Sequence, residues 1–192
     1  MTLDLLEFRT ERRRPAPPSL ALIAARPTPP APSPEPGAPA AHAPSPAWAA
    51  PLFDEPAQAR LAAANHRIDD PGARVARALC VLVRCALDQP GETRGLAQRF
   101  AGSAVARTIR ADVTEGWALG RFAVRDLEAA VLATLGVAEI ALQRALDRGP
   151  DPATAPLTRE LAFGLLRALG LPDSVAGARA RDAALEILTP VL

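Results

Sequence analysis

Residues 125–147 read RDLEAAVLATLGVAEIALQRALD, and this stretch decides the fold class. Its apolar residues recur every three or four positions, the spacing that places them on one face of an α-helix. That face carries Leu127, Val131, Leu135, Leu142 and Leu146, and it is widened by Leu132 and Ile140. Because no window after residue 52 alternates polar and apolar residues for long, the pattern predicts an all-α bundle.

Further helices are predicted on either side of this one. The best marked begins at Asp70, a residue type that caps helix N-termini, followed by a proline at the first helical position. The predicted spans are 52–67, 70–89, 92–101, 103–118, 154–169 and 173–189. The last of these helices is expected to pack through Val175, Leu185, Ile187 and Leu188.

A different composition precedes the helices. Fourteen of the 21 prolines lie in residues 1–56, mostly with Ala and Ser between them. Proline fixes φ and removes backbone donors, so neither a helix nor a sheet ladder can propagate there. We therefore expect a disordered Pro/Ala-rich tail over residues 1–51 and a helical domain over residues 52–192.

Charge and motif content exclude several classes of function. With 22 basic and 21 acidic side chains the net charge is +1, so bulk charge does not provide nucleic-acid binding. The two Cys and two His lack zinc-site spacing, and the chain has neither a glycine-rich nucleotide motif nor a nucleophile elbow. We expect no enzyme activity, no metal and no cofactor.

The same composition suggests where the protein works. Every basic residue is Arg and there is no Tyr, as expected of a GC-rich bacterial genome. No apolar run approaches the ~20 residues of a membrane helix, and the early apolar stretch is too short for a signal peptide. We expect a cytoplasmic protein without membrane contact.

The helices predicted at 125–147 and 154–169 have apolar faces wider than one neighbour covers. The first interpretation is a thick monomer core, and the second is a two-fold interface in which the pair meets its copy as a four-helix bundle. The second predicts a homodimer through Leu127, Val131, Leu135, Leu142, Leu161 and Leu165.

Four stretches share a family pattern: residues 70–75 (DPGARV), 115–122 (EGWALGRF), 126–131 (DLEAAV) and 165–171 (LLRALGL). Together they resemble the ligand-binding and dimerisation domain of TetR/AcrR-type bacterial transcription regulators. The resemblance implies a helical bundle, a homodimer and a small effector, here a largely apolar one. The implied function is that of a TetR-like transcriptional regulator.

The DNA-binding head of that family is not recognisable. Its helix-turn-helix unit is commonly followed by a pattern with Tyr and Lys, which this chain lacks, and residues 52–192 balance 17 Arg against 17 acidic side chains. No DNA-binding residue is assigned, and DNA binding requires a supplied helix-turn-helix. The chain is either a headless relative or carries a shifted upstream reading frame. The alternative function is a headless all-α adaptor or scaffold protein.

In the family the effector pocket lies among the helices before the dimerising pair. The resemblance therefore points to Leu79, Val83, Arg84, Phe100, Thr108, Ile109, Asp112 and Trp117. Arg84 interrupts an apolar run, so it lies at a helix edge, pairs with Asp112 or Glu115, or anchors an anionic ligand. A cavity among the apolar members favours a sensor, and a filled core favours the adaptor.

Removing residues 1–51 is expected to leave the melting temperature within a few degrees, because the proline spacing prevents that segment from joining the fold. Circular dichroism melting of the full and shortened chains checks this. Loss of cooperative unfolding on deletion would show that the segment is structural.

Overall fold

A computed structural model of the chain describes residues 55–189, and the tail expected over residues 1–51 lies outside them, as do Leu52 and Phe53. Seven α-helices and one short 3-10 turn make up the described part, which contains no strand. They are α1 (Glu55–Ala64), α2 (Pro71–Asp88), α3 (Pro90–Gln98), the 3-10 turn Phe100–Gly102, α4 (Ala104–Ala118), α5 (Leu127–Arg148), α6 (Thr154–Ala168) and α7 (Asp173–Leu188). The predicted all-α fold is confirmed.

Helix α2 is the centre of the bundle. The Asp70 carboxylate accepts a hydrogen bond from the backbone N–H of Gly72 at 2.9 Å, and Pro71 takes the first position, so the helix starts where predicted. Thirteen of its 18 residues are buried. All six other helices contact it. A helix that is buried on every side must have other elements packed around it, and this requirement determines where the other helices lie.

Helix α7 packs mainly through alanines, and of the four larger residues expected from the sequence Leu188 is buried and Ile187 half-buried. Val175 and Leu185 are 39% and 62% exposed. The buried residues of α7 are instead Ala176, Ala180, Ala183, Ala184 and Leu188. Small side chains let α7 approach α2 and α6 closely, and the expectation for Val175 and Leu185 is wrong.

The turn between α4 and α5 is fixed by a glycine under an aromatic ring. The Gly116 carbonyl accepts hydrogen bonds from the N–H groups of Arg121 and Phe122, and Gly120 takes the left-handed φ of 65° that ends the helix. Phe122 is 3% exposed and its ring lies directly over Gly116. The N–H of Ala123 then donates to the Leu169 carbonyl at 3.0 Å, which ties this turn to the end of α6.

Helix α5 is more apolar than expected, since no apolar run in the sequence had suggested the length of a membrane helix. Among the described residues it alone is long and apolar enough to cross a membrane, by length and composition, with a mean hydropathy of 1.5 over the best window. Core helices of bundles pass the same test, and Val131 and Leu142 of α5 are buried in the bundle.

Replacing Gly116 with Ala is expected to destabilise the protein by about 1–3 kcal/mol, the usual cost of overpacking a core. An added Cβ would lie 2.2 Å from the nearest Phe122 ring carbon, and the buried ring would have to move. Urea unfolding of both proteins measures the difference. Gly91→Ala is the matched control: with nothing within 4 Å of its Cβ, it is expected to be neutral or slightly stabilising.

Candidate functional site

The apolar residues predicted to line an effector pocket form a filled core. Leu79, Val83, Phe100 and Ile109 are each 1–2% exposed and belong to one buried cluster. Four surface grooves in the described part are lined by other residues. The structure brings these four side chains together as packing partners, and their role in ligand binding stays a prediction.

The remaining predicted pocket residues are spread around that core. Trp117 is 48% exposed near the end of α4, away from the buried cluster. The Thr108 hydroxyl donates to the Ala104 carbonyl at 3.2 Å and accepts from the Gln58 amide at 3.1 Å. Thr108 therefore links α4 to α1.

Arg84 has a partner that the sequence analysis did not name. Its Nε lies 3.0 Å from a carboxylate oxygen of Asp88, one turn along α2, and the same carboxylate is 2.8 Å from Arg60 on α1. About a third of the Arg84 side chain is exposed, as expected at a helix edge. The expected pairing with Asp112 or Glu115 is wrong, because Arg74 takes both of those carboxylates.

Arg74 joins α2, α4 and the α1–α2 turn. Its Nε donates to Asp112 Oδ1 at 2.7 Å, and its Nη1 donates to the carbonyls of Ile68 and Asp69. Asp112 is 6% exposed, and its second carboxylate oxygen is buried without a hydrogen-bond partner. Burial raises the pKa of Asp112, although the hydrogen bond from Arg74 opposes the rise.

A second buried arginine, which the sequence analysis missed, ties α2 to α7. Arg77 is 9% exposed, donates through Nε to the Ala64 carbonyl at 2.7 Å, and forms a two-pronged pair with Glu186. The hydrogen bond from Arg77 lowers the pKa of Glu186. The sequence did contain one indication that Arg77 is buried, because this arginine stands within the apolar run of α2.

The cysteines do not form a reactive site. Cys80 and Cys85 are free and buried, and burial raises the pKa of Cys80 to about 12, so its thiol is protonated at neutral pH. Within residues 55–189 no group of three or more His, Cys, Asp or Glu side chains is placed to hold a metal ion.

The predicted dimer-interface residues lie mostly on the inner side of α5 and α6. Val131, Leu135, Leu142 and Leu165 are 0–8% exposed within the single chain. Leu127 and Leu161 are half-buried. Their contribution to an interface stays a prediction, and their burial shows that they already serve the core of one chain.

The outward side of α5 is also apolar, and this is the most unusual feature of the surface. Leu132 and Ile140 are 57% and 66% exposed. With 100° of rotation per residue, Leu132 and Ile140 lie on the same broad face of α5, together with several small and apolar residues of the helix. That face consists of Ala129, Leu132, Ala133, Gly136, Val137 and Ile140.

Helix α6 continues this outward face. Leu157 and Leu161 border the shallow groove between α5 and α6, together with Ala141 and Arg144 of α5. Gly164 and Ala168 follow at helical spacing and are exposed. The two helices therefore present apolar and small residues on one side, interrupted by Gln143 and Arg144, and this side is hereafter the α5–α6 face.

The chain is similar to a solved regulator structure, although no protein-family model matches it. No curated protein matches it either. The similar structure is that of RolR, a TetR-family regulator, in complex with the ligand resorcinol, at 25% identity and a TM-score of 0.49. The likeness covers 67% of this chain and 64% of the RolR chain, so this chain spans less than two thirds of RolR.

The raised pKa of Asp112 predicts an unusual pH dependence. Because the folded state favours the protonated carboxyl, ionisation of Asp112 lowers the free energy of unfolding as pH rises through and above about 4. The difference in unfolding free energy, wild type minus Asp112→Asn, is therefore expected to fall over that range. Urea unfolding between mildly acidic and neutral pH measures it.

Glu186 supplies the matched control, since its pKa is shifted in the opposite direction. Its contribution to stability is present above its unfolded pKa and is lost as pH falls through the lower folded value. The difference between wild type and Glu186→Gln should thus rise with pH. Parallel slopes for the two variants would contradict the assignment of Asp112 as the destabilising carboxylate.

Proposed function

We propose that residues 55–189 form the regulatory and dimerisation domain of a TetR-like transcription regulator that works as a homodimer in the cytoplasm. The observation that carries the proposal is the α5–α6 face. Exposed apolar patches on soluble proteins often mark interaction sites, and Leu132 and Ile140 are exposed on the same side of α5. A second copy that presents the same face covers it symmetrically, as a two-fold interface requires.

The geometry of the α5–α6 face suits a four-helix bundle. Two helices from each copy would bury Leu132 and Ile140 at the centre, and Gly136 and Gly164 would let the backbones come close. A stable interface of this kind would bury about 1,600 Å², the size of a standard complex. The interface keeps Leu161 of the residues first predicted, and it lies outward from Val131, Leu135, Leu142 and Leu165, which are buried in the single chain.

Effector sensing is the second half of the proposal. A small, largely apolar molecule would bind where α2, the 3-10 turn and α4 meet, at Leu79, Val83, Phe100 and Ile109. Because these side chains fill that space, binding requires the core to open and repack around the ligand. DNA binding would require a helix-turn-helix unit in addition to the described residues.

A headless adaptor is the second candidate, and the filled core favours it. An adaptor uses the α5–α6 face for another protein and needs no internal pocket. Thermal unfolding with a panel of small apolar molecules separates the candidates. A ligand that binds only the folded state raises the melting temperature, which supports the sensor, and no rise at any concentration supports the adaptor.

Wild-type protein is expected to be a dimer of roughly twice 20.1 kDa, and Leu132→Glu or Ile140→Glu is expected to give folded monomers. Each change places a charge in the proposed interface, while the exposed position leaves the core of the single chain intact. Light scattering gives the mass, and circular dichroism confirms folding.

Two controls make this prediction specific. Val175→Glu adds the same charge at an exposed apolar residue of α7, outside the α5–α6 face, and should leave the dimer intact. Val131→Glu places the charge one residue away from Leu132 but inside the core, and should unfold the chain. A wild-type mass near 20.1 kDa at tens of micromolar would rule out the homodimer.

A further inference from the structure

A groove of about 170 Å³ runs between the start of α6 and the end of α7. Its lining is mainly apolar and includes two arginines but no carboxylate. The lining residues are Ala155, Pro156, Arg159, Arg181, Ala184, Leu185 and Thr189. Leu185 is 62% exposed, so the groove carries a large apolar side chain that the bundle does not use.

The two arginines lie opposite each other across the groove. Helices α6 and α7 are antiparallel neighbours, and Phe163 meets Gly177 one turn further along the same pair. Arg159 and Arg181 each have an acidic neighbour in sequence, Glu160 at 2.8 Å and Asp182 at 3.6 Å. Both acids are more than 60% exposed and neither lines the groove, so these pairs are weak.

We propose that this groove binds a small aliphatic carboxylate. The carboxylate would lie between Arg159 and Arg181 and accept charge-assisted hydrogen bonds from them, in place of their exposed partners Glu160 and Asp182. The aliphatic chain would lie on Leu185 and Pro156. Since water occupies about 30 Å³ per molecule, 170 Å³ corresponds to about six water molecules, which suits a short chain.

The groove is separate from the α5–α6 face. Pro156 and Arg159 lie on the side of α6 toward α7, whereas Leu157 and Leu161 lie on the side toward α5. The inference therefore does not rest on dimerisation or on effector binding in the core, and each can fail without the other.

The test is a titration of ¹⁵N-labelled full-length protein with hexanoate, followed by amide chemical shifts. Millimolar binding that moves the signals of Arg159, Arg181 and Leu185 is expected. Hexanol has the chain without the charge, and acetate has the charge without the chain, so both should bind at least about threefold more weakly. Hexylamine, with the opposite charge, should not bind there.

Variants identify the groups responsible. Arg159→Gln and Arg181→Gln should each weaken hexanoate binding at least about threefold, and Leu185→Asn should weaken hexanoate more than acetate. Arg94→Gln, at an exposed arginine of α3, is the matched control and should bind as wild type does. The proposal is overturned by an absence of shifts, by equal binding of hexanol and hexanoate, or by unchanged binding in both groove-arginine variants.

Discussion

The burial of α2 on every side is the constraint on which the rest of the structure depends. A helix with 13 of 18 residues buried must be enclosed, and six helices do this within one short chain. Close enclosure requires small side chains at the contacts, which explains why α7 packs through Ala176, Ala180 and Ala183. It also explains why large residues such as Val175 and Leu185 are left at the surface.

Because α2 is enclosed, its residues Arg74 and Arg77 are largely covered, and these two arginines hold the neighbouring elements in place. Arg74 and Arg77 can lie within the bundle only because carbonyls and carboxylates meet nearly all of their donors. Together these bonds reach four elements: the end of α1, the α1–α2 turn, α4 and α7. Ion pairs in which the carboxylate stays exposed, as Glu115 and Glu186 do here, add little net stability. They do specify how the elements dock, since a shifted neighbour would leave a buried charge unpaired.

The helices were predictable from the sequence because their signals are local. The cap at Asp70 and the spacing within residues 125–147 need no knowledge of the rest of the fold, and most observed helix ends lie within a few residues of the predicted ones. Partners distant in sequence were not predictable. Arg84 was expected to reach Asp112, but that carboxylate belongs to Arg74, and only the docking of α4 on α2 decides this. For the same reason the sequence supplied the apolar pocket residues but not whether they enclose a space.

A ligand in the filled core would have to enter where the cover of α2 is weakest, and that place is α3. This helix has nine residues, buries only Thr93, Leu96 and Ala97, and contacts α2 less extensively than the other helices do. Phe100 follows directly in the 3-10 turn and is 2% exposed, so a movement of α3 also moves the largest buried side chain of the predicted pocket. Helix α4 is held more firmly, since Arg74 ties it to α2 and Gln58 ties it to α1. Effector entry would therefore involve α3, whereas the proposed interface lies on α5 and α6. The two are linked because α3 also contacts α5. Opening the core at α3 would thus act on the helix that would carry the interface.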